Sequence, residues 1–189
     1  MQATETQLAK PRAQNMAVIK DVVQQVSEQH QYLTFLLSDE MFAIGILSIR
    51  EIIEYGFVTD VPMTPPFIRG VLNLRGAVVP VVDLTVRFGR QARENTKRTC
   101  IVIVDIETAN GNQQMGVVVD MVNEVLDIPA SEIEPAPEFG ARIRNDFVKG
   151  MGKINGKFVV VLDLNRVMSI DELVVVAGIG RTEAPMANA

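Results

Sequence analysis

Tryptophan is absent from the 189 residues, tyrosine occurs twice, and there is one histidine and one cysteine. Each scarcity removes a class of function. The lone Cys100 cannot close an internal disulfide, and with His30 the only imidazole no His/Cys set of zinc spacing can be assembled. His30 would also have to serve any Ser-His-acid triad, and no serine sits in a GxSxG elbow. There is no GxxxxGK[ST] loop, and GVLNLRG is not GxGxxG, so no phosphate cradle is visible. No apolar run approaches the roughly 20 residues that span a bilayer, and the N-terminal MQATETQLAKPRAQ lacks the apolar stretch of a signal peptide. A net charge of −5 and a pI of about 5.0 supply no basic field for nucleic acid, and the aromatic stacking platforms are missing too. The expectation is a cytoplasmic, non-catalytic protein with no cofactor or metal, neither inserted in a membrane nor bound to nucleic acid, whose partners are proteins.

What is present is apolar residue in quantity, 48% of the chain, enough for a real core. Residues 1–30 form a polar extension in which Met16, Ile19, Val22, Val23 and Val26 recur at helical spacing. From Gln31 the pattern turns to strands: YLTFLL (32–37), a DE turn, and MFAIGIL (41–47) read as a hairpin. REIIEY is followed by VPMTPPF, a loop because each proline restricts itself and its predecessor. GVLNLRGAVVPVVDL (70–84) comes next, interrupted by Gly76, Arg75 and Pro80, with Pro80 expected at an edge or bulge. After the charged connector RQARENTKR, CIVIVDI (100–106) and MGVVVDMV (115–122) flank the turn signal ANGNQQ. Cys100 is expected as a small buried apolar residue, and Asp39/Glu40 as a solvated turn. Ser169 and Asp171 are candidate caps of a final helix, with residues 171–189 a helix and tail.

FIRGVLNLRGAVVPVVDL (67–84) aligns without gaps on FVKGMGKINGKFVVVLDL (147–164) at an offset of 80. Upstream, FAIGILSIREII (42–53) lies over MGVVVDMVNEVL (115–126) at an offset of 73, placing Glu51 on Glu124. One unit of short strands therefore occurs twice, which implies two small barrels or curled sheets sharing a core. The first spans about 31–90 and the second about 97–168, with exchange of strands between them left open. Matched Gly70/Gly150, Gly76/Gly156 and Asp83/Asp163 read as scaffold for turns and caps. The halves differ where Arg75 faces Asn155 and Pro80 faces Val160. Arg75 amid apolar residues needs a counter-ion, and Glu51 is the expected one. The pair is either a structural salt bridge or, beside exposed Ile49 and Ile52, part of a docking patch.

The motif order YLTFLL, FAIGILSIREII, TPPFIRGVLNLRGAVVPVVDL, CIVIVDI, GVVVDMVNEVL, EPAPEF, FVKGMGKINGKFVVVLDL resembles the CheW-like family of chemotaxis coupling proteins over residues 31–170. The resemblance implies a mainly β fold, two SH3-like five-stranded β-barrels on a common hydrophobic core, with short helices at the termini. It also implies an adaptor without catalysis or cofactor, joining the regulatory domain of the histidine kinase CheA to methyl-accepting chemoreceptors in membrane-associated arrays. A receptor tip would lie in an apolar groove where the barrels meet. The family positions tied to receptor or kinase binding fall on Ile49, Glu51, Gly70 and Arg75 in the first half and Val122 and Val125 in the second, and Ile52 adjoins them. A coupling protein of another chemosensory pathway, for pili or biofilm, has the same core motifs; a nucleic-acid-binding double barrel has the acidic pI against it.

Overall fold

A computed structural model of the chain describes residues 30–108, 111–137 and 143–167. The expected first hairpin is β1 (Gln31–Leu37) and β2 (Glu40–Gly45), paired down to Leu37↔Glu40. Ser38 and Asp39 between them both have positive φ, 50° and 68°, the turn geometry whose twist matches paired strands. A 3-10 turn at Ile46–Ser48, closed by the Ser48 hydroxyl donating to the Gly45 carbonyl, leads into β3 (Ile49–Glu54). Then come β4 (Ile68–Leu74), β5 (Ala77–Asp83) and the four-residue helix α1 (Leu84–Arg87). The second half holds β6 (Cys100–Thr108), β7 (Gly111–Val119), β8 (Met121–Asp127), β9 (Ile133–Glu134), β10 (Val148–Ile154), β11 (Lys157–Leu162) and α2 (Leu164–Val167). The helices expected in 1–30 and 171–189 fall outside the described residues, His30 apart.

The strands form a sheet of order β8-β1-β2-β11-β10-β9 and a sheet of order β3-β6-β7-β5-β4. Neither is a contiguous piece of chain, so a division at 31–90 and 97–168 does not follow the sheets. Hairpin β1–β2 pairs with β8 and β11, and hairpin β6–β7 with β3 and β5. Each half lends its hairpin to the other half's sheet. The repeat is visible in the registers: Gly70↔Val81 through Leu74↔Ala77 matches Gly150↔Val161 through Ile154↔Lys157, with the same irregularity one pair earlier. One sheet has a sixth strand because Ile133–Glu134 pairs with β10; at the equivalent place on β4 there is only the single bridge Thr59↔Val71.

Three apolar clusters follow from this exchange. One lies on the five-stranded sheet (Leu72, Val79, Val81, Ile101, Ile103), one on the six-stranded sheet (Tyr32, Ala43, Ile128, Val159, Val161), and the largest is common to both. The common core takes Phe35, Phe42 and Ile44 from one hairpin, Val102, Val104, Met115 and Val117 from the other, and Phe67, Phe88 and Phe147 between. Removing this much apolar surface from water is the main force holding the halves together.

Asp83 is scaffold as expected: it is 3% exposed, accepts from Val86 N at the start of α1, and bonds Arg69 at 2.7 Å. Asp163 accepts instead from Asn165 N, two residues on. Pro80 corrects an expectation, because β5 is an interior strand and Pro80 is buried in it. Val71 opposite spends its N–H and C=O on Thr59, so Pro80 faces it at a pair without ladder bonds. On its other side the ladder to β7 starts only at Val81, whereas its repeat mate Val160 already pairs with Phe42. The missing N–H thus costs one rung. Cys100 is half-buried rather than buried, and its thiol donates to the Arg98 carbonyl. Asp39 is solvated as expected, but Glu40 is held by Arg90 at 2.7 Å.

Candidate partner-docking surface

β3 and β4 are the two ends of the five-stranded sheet, yet Arg75 Nη2 lies 3.0 Å from Glu51 Oε2. With Ile53 of β3 packing on the same cluster as Leu72 and Leu74 of β4, the sheet curls until its two edges face each other. Arg75 and Gly76 form the β4–β5 turn at φ 52° and 89°, and their mates Asn155 and Gly156 form the β10–β11 turn at 48° and 77°. Asparagine tolerates the left-handed region; a long side chain such as arginine costs on the order of 1 kcal/mol more there. Asn73 Oδ1 accepts from Gly76 N and supports the turn, so turn formation makes no demand for arginine at 75. The guanidinium is 80% exposed and its pairing with Glu51 is a surface contact worth well under about 1 kcal/mol. Neither turn geometry nor stability accounts for Arg75.

Of the other residues singled out from sequence, Ile52 (42%) and Val125 (48%) are exposed. Ile49 is not exposed as expected: it and Val122 are half-buried and pack on the common core, at the starts of the repeat-related strands β3 and β8. Gly70 is buried and offers no surface. Its φ is +137°, and an added Cβ would lie 2.1 Å from the Thr59 carbonyl oxygen, so it is the site where the 55–67 segment crosses β4. Sequence reasoning missed Val78 and Phe158, 52% and 60% exposed. These are repeat mates at an offset of 80, each preceding an identical buried valine, so strand alternation would have placed both outward. Exposed apolar side chains thus fall at equivalent positions on both sheets: Ile52 with Val125, Val78 with Phe158.

Between the sheets, around the 3-10 turn after β2, lies an open cleft of about 520 Å³. An adjoining cleft of about 540 Å³ is lined mainly by apolar residues, among them Tyr32, Ile46, Leu47 and Ile133, but the first is not. Arg50, Asp105, Glu107 and Lys149 line that first cleft with the exposed Leu47. Arg50 and Asp105 are ion-paired, and the hydrogen bond to Asp105 and its charge raise the Arg50 guanidinium above its ordinary pKa. Such a surface suits a polar or mixed partner. Among the described residues no group of three or more His, Cys, Asp and Glu side chains is placed to hold a metal ion. No helix among them is long and apolar enough to cross a membrane.

The family model for the CheW-like domain matches residues 31–172. The chemotaxis protein CheW of Klebsiella aerogenes is 34% identical over 152 residues, 80% of this chain and 89% of its own. Protein FrzA of Myxococcus xanthus is 29% identical over 122 residues, 65% of this chain and 74% of its own. The crystal structure of the scaffolding protein TtCheW from Thermoanaerobacter tengcongensis superposes with a TM-score of 0.68 at 33% identity, covering 76% of this chain and 90% of that one. With its repeat, exchanged hairpins and common core, the chain belongs to the family of CheW-like domains.

Proposed function

We propose that the chain is a non-catalytic chemotaxis adaptor that couples the cytoplasmic tips of chemoreceptors to the regulatory domain of the histidine kinase CheA in signalling arrays. The observation that carries the reading is the doubling of exposed apolar positions, Ile52 and Val78 on one sheet, Val125 and Phe158 on the other. An adaptor needs two surfaces occupied together, and an internal repeat supplies two of similar shape. Arg75 makes the two unlike, since Asn155 at the equivalent turn has neither charge nor reach toward Glu124. One surface thus carries an arginine, a residue type enriched at the centres of interfaces. An adaptor changes kinase activity only by binding one state of the array better than another.

Replacing Arg75 by asparagine, the residue its own repeat uses in the same backbone conformation, tests this with little risk to the fold. Capture of the kinase regulatory domain or of a receptor cytoplasmic fragment by the full chain should fall about tenfold. A folded Arg75→Asn protein that captures both as well as the parent would reduce the Glu51–Arg75 pair to a structural contact. The similarity to FrzA supports a second reading, an adaptor of another chemosensory pathway. The receptor and kinase that co-purify with the chain distinguish the two.

A further inference from the structure

Arg87 is the residue that breaks the repeat at the junction of the two halves. At an offset of 80 its mate is Val167, an apolar residue, yet Arg87 makes a polar contact from one half to the other. Its guanidinium carbon lies 4.9 Å from the ring centroid of Phe67 and 4.8 Å from that of Phe147. Those two rings are themselves repeat mates, each accepting through its carbonyl from Asp83 N or Asp163 N. The cation is therefore almost equidistant from two equivalent rings. Its Nε donates to the carbonyl of Val167, its own repeat mate, at 2.8 Å. Phe67 and Arg87 flank strands of the five-stranded sheet, Phe147 and Val167 those of the six-stranded sheet.

Apolar burial holds the sheets together but is non-directional. A planar guanidinium between two faces with one N–H aimed at a carbonyl is directional, and Arg presents its donors in a fixed fork that lysine lacks. We propose that Arg87 is a positioning residue that fixes how the two sheets are set relative to each other, and thereby the spacing of the two docking ends. The functional half of this inference rests on the adaptor reading; the geometric half does not.

The test uses the full chain with Cys100→Ser and nitroxide labels at Ala77→Cys and Lys157→Cys, exposed repeat mates that open β5 and β11, one in each sheet. Arg87→Met should broaden or shift the label-to-label distance distribution relative to the parent, and Arg87→Lys should do so to a lesser degree. A parent-like distribution in a cooperatively unfolding Arg87→Met protein overturns the inference; if that variant does not fold, a parent-like distribution in Arg87→Lys does so. Capture of the kinase regulatory domain alone and of the receptor fragment alone should stay near parent levels in the variant, while recovery of both in one complex falls by about fivefold or more. Failure of the parent itself to bridge the two would refute the adaptor reading and leave the distance measurement standing. Loss of bridging with an unchanged distance distribution would refute the positioning role.

Discussion

Gly70 allows the sharpest quantitative expectation. It is buried at φ +137°, and a Cβ there would meet the Thr59 oxygen at 2.1 Å and the Thr59 carbonyl carbon at 2.7 Å. Because the obstacle is backbone rather than the end of a flexible side chain, the 55–67 segment must move. That breaks the reciprocal bonds Thr59 N to Val71 O (2.8 Å) and Val71 N to Thr59 O (2.9 Å), which make the bridge between the segment and β4. Two such bonds are worth about 1–3 kcal/mol together, and a non-glycine residue at this φ costs about 1–2 kcal/mol more. Gly70→Ala should therefore destabilise by about 2–5 kcal/mol, a large share of the 5–15 kcal/mol typical of a domain, and lower Tm by about 10 °C. Two other glycines, Gly150 (the repeat mate of Gly70) and Gly76, calibrate the reasoning. Gly150→Ala meets the Ile133 methyl at 2.5 Å and the Glu134 oxygen at 2.8 Å but without positive φ, and should cost less. Gly76→Ala has positive φ of 89° and nothing within 4 Å, so only the conformational cost of about 1 kcal/mol applies. Urea unfolding followed by circular dichroism gives the order directly. A Gly70→Ala protein within 1 kcal/mol of the parent, or less damaged than Gly76→Ala, would refute the close-approach argument.

Asp83→Ala removes both the α1 cap and the counter-ion of Arg69, which is 26% exposed, and should cost about 3 kcal/mol. Asp163→Ala, whose partner Arg166 is 71% exposed, should cost less than about 1.5 kcal/mol in the same denaturation assay. Pro80→Val, the substitution the repeat itself makes, restores an N–H on the side facing β7. It should change stability by less than about 1 kcal/mol and add a slowly exchanging amide at position 80. Strong destabilisation there would mean that the proline ring packs in a way the repeat does not share.

Much of the architecture was legible in the order of residues. Both hairpins, the proline loop, the scaffold role of Gly76 and Asp83 and the Glu51–Arg75 pair were readable because each rests on local pattern or on comparing two copies of one unit. The reading went astray where an outcome depended on non-local partners. Ile49 was expected exposed beside Ile52, but the common core reaches the start of β3 and half-buries it. Pro80 looked like an edge residue because the usual rule concerns a missing donor, and only the registers of β4 and β7 show that an interior strand loses no more than one rung to it. The charges lining one of the two clefts beside Leu47 are drawn from both sheets, which no local pattern shows.

By itself, then, the sequence determined that one strand unit occurs twice, that each copy is of a size marginal for folding alone, and that one His and one Cys cannot make a His/Cys set of zinc spacing. Only the tertiary structure decided that the hairpins are exchanged, so that β1–β2 joins β8 and β11 while β6–β7 joins β3 and β5. The physical reason is that the two copies share their apolar pattern, so a hairpin finds equivalent edges in its own half and in the other. Local pattern cannot choose between them. The choice falls to the common core, which closes when Phe42, Phe88 and Phe147 meet across the halves, with ring centroids 5.8 Å and 6.1 Å apart, and which places Arg87 between Phe67 and Phe147 as a consequence.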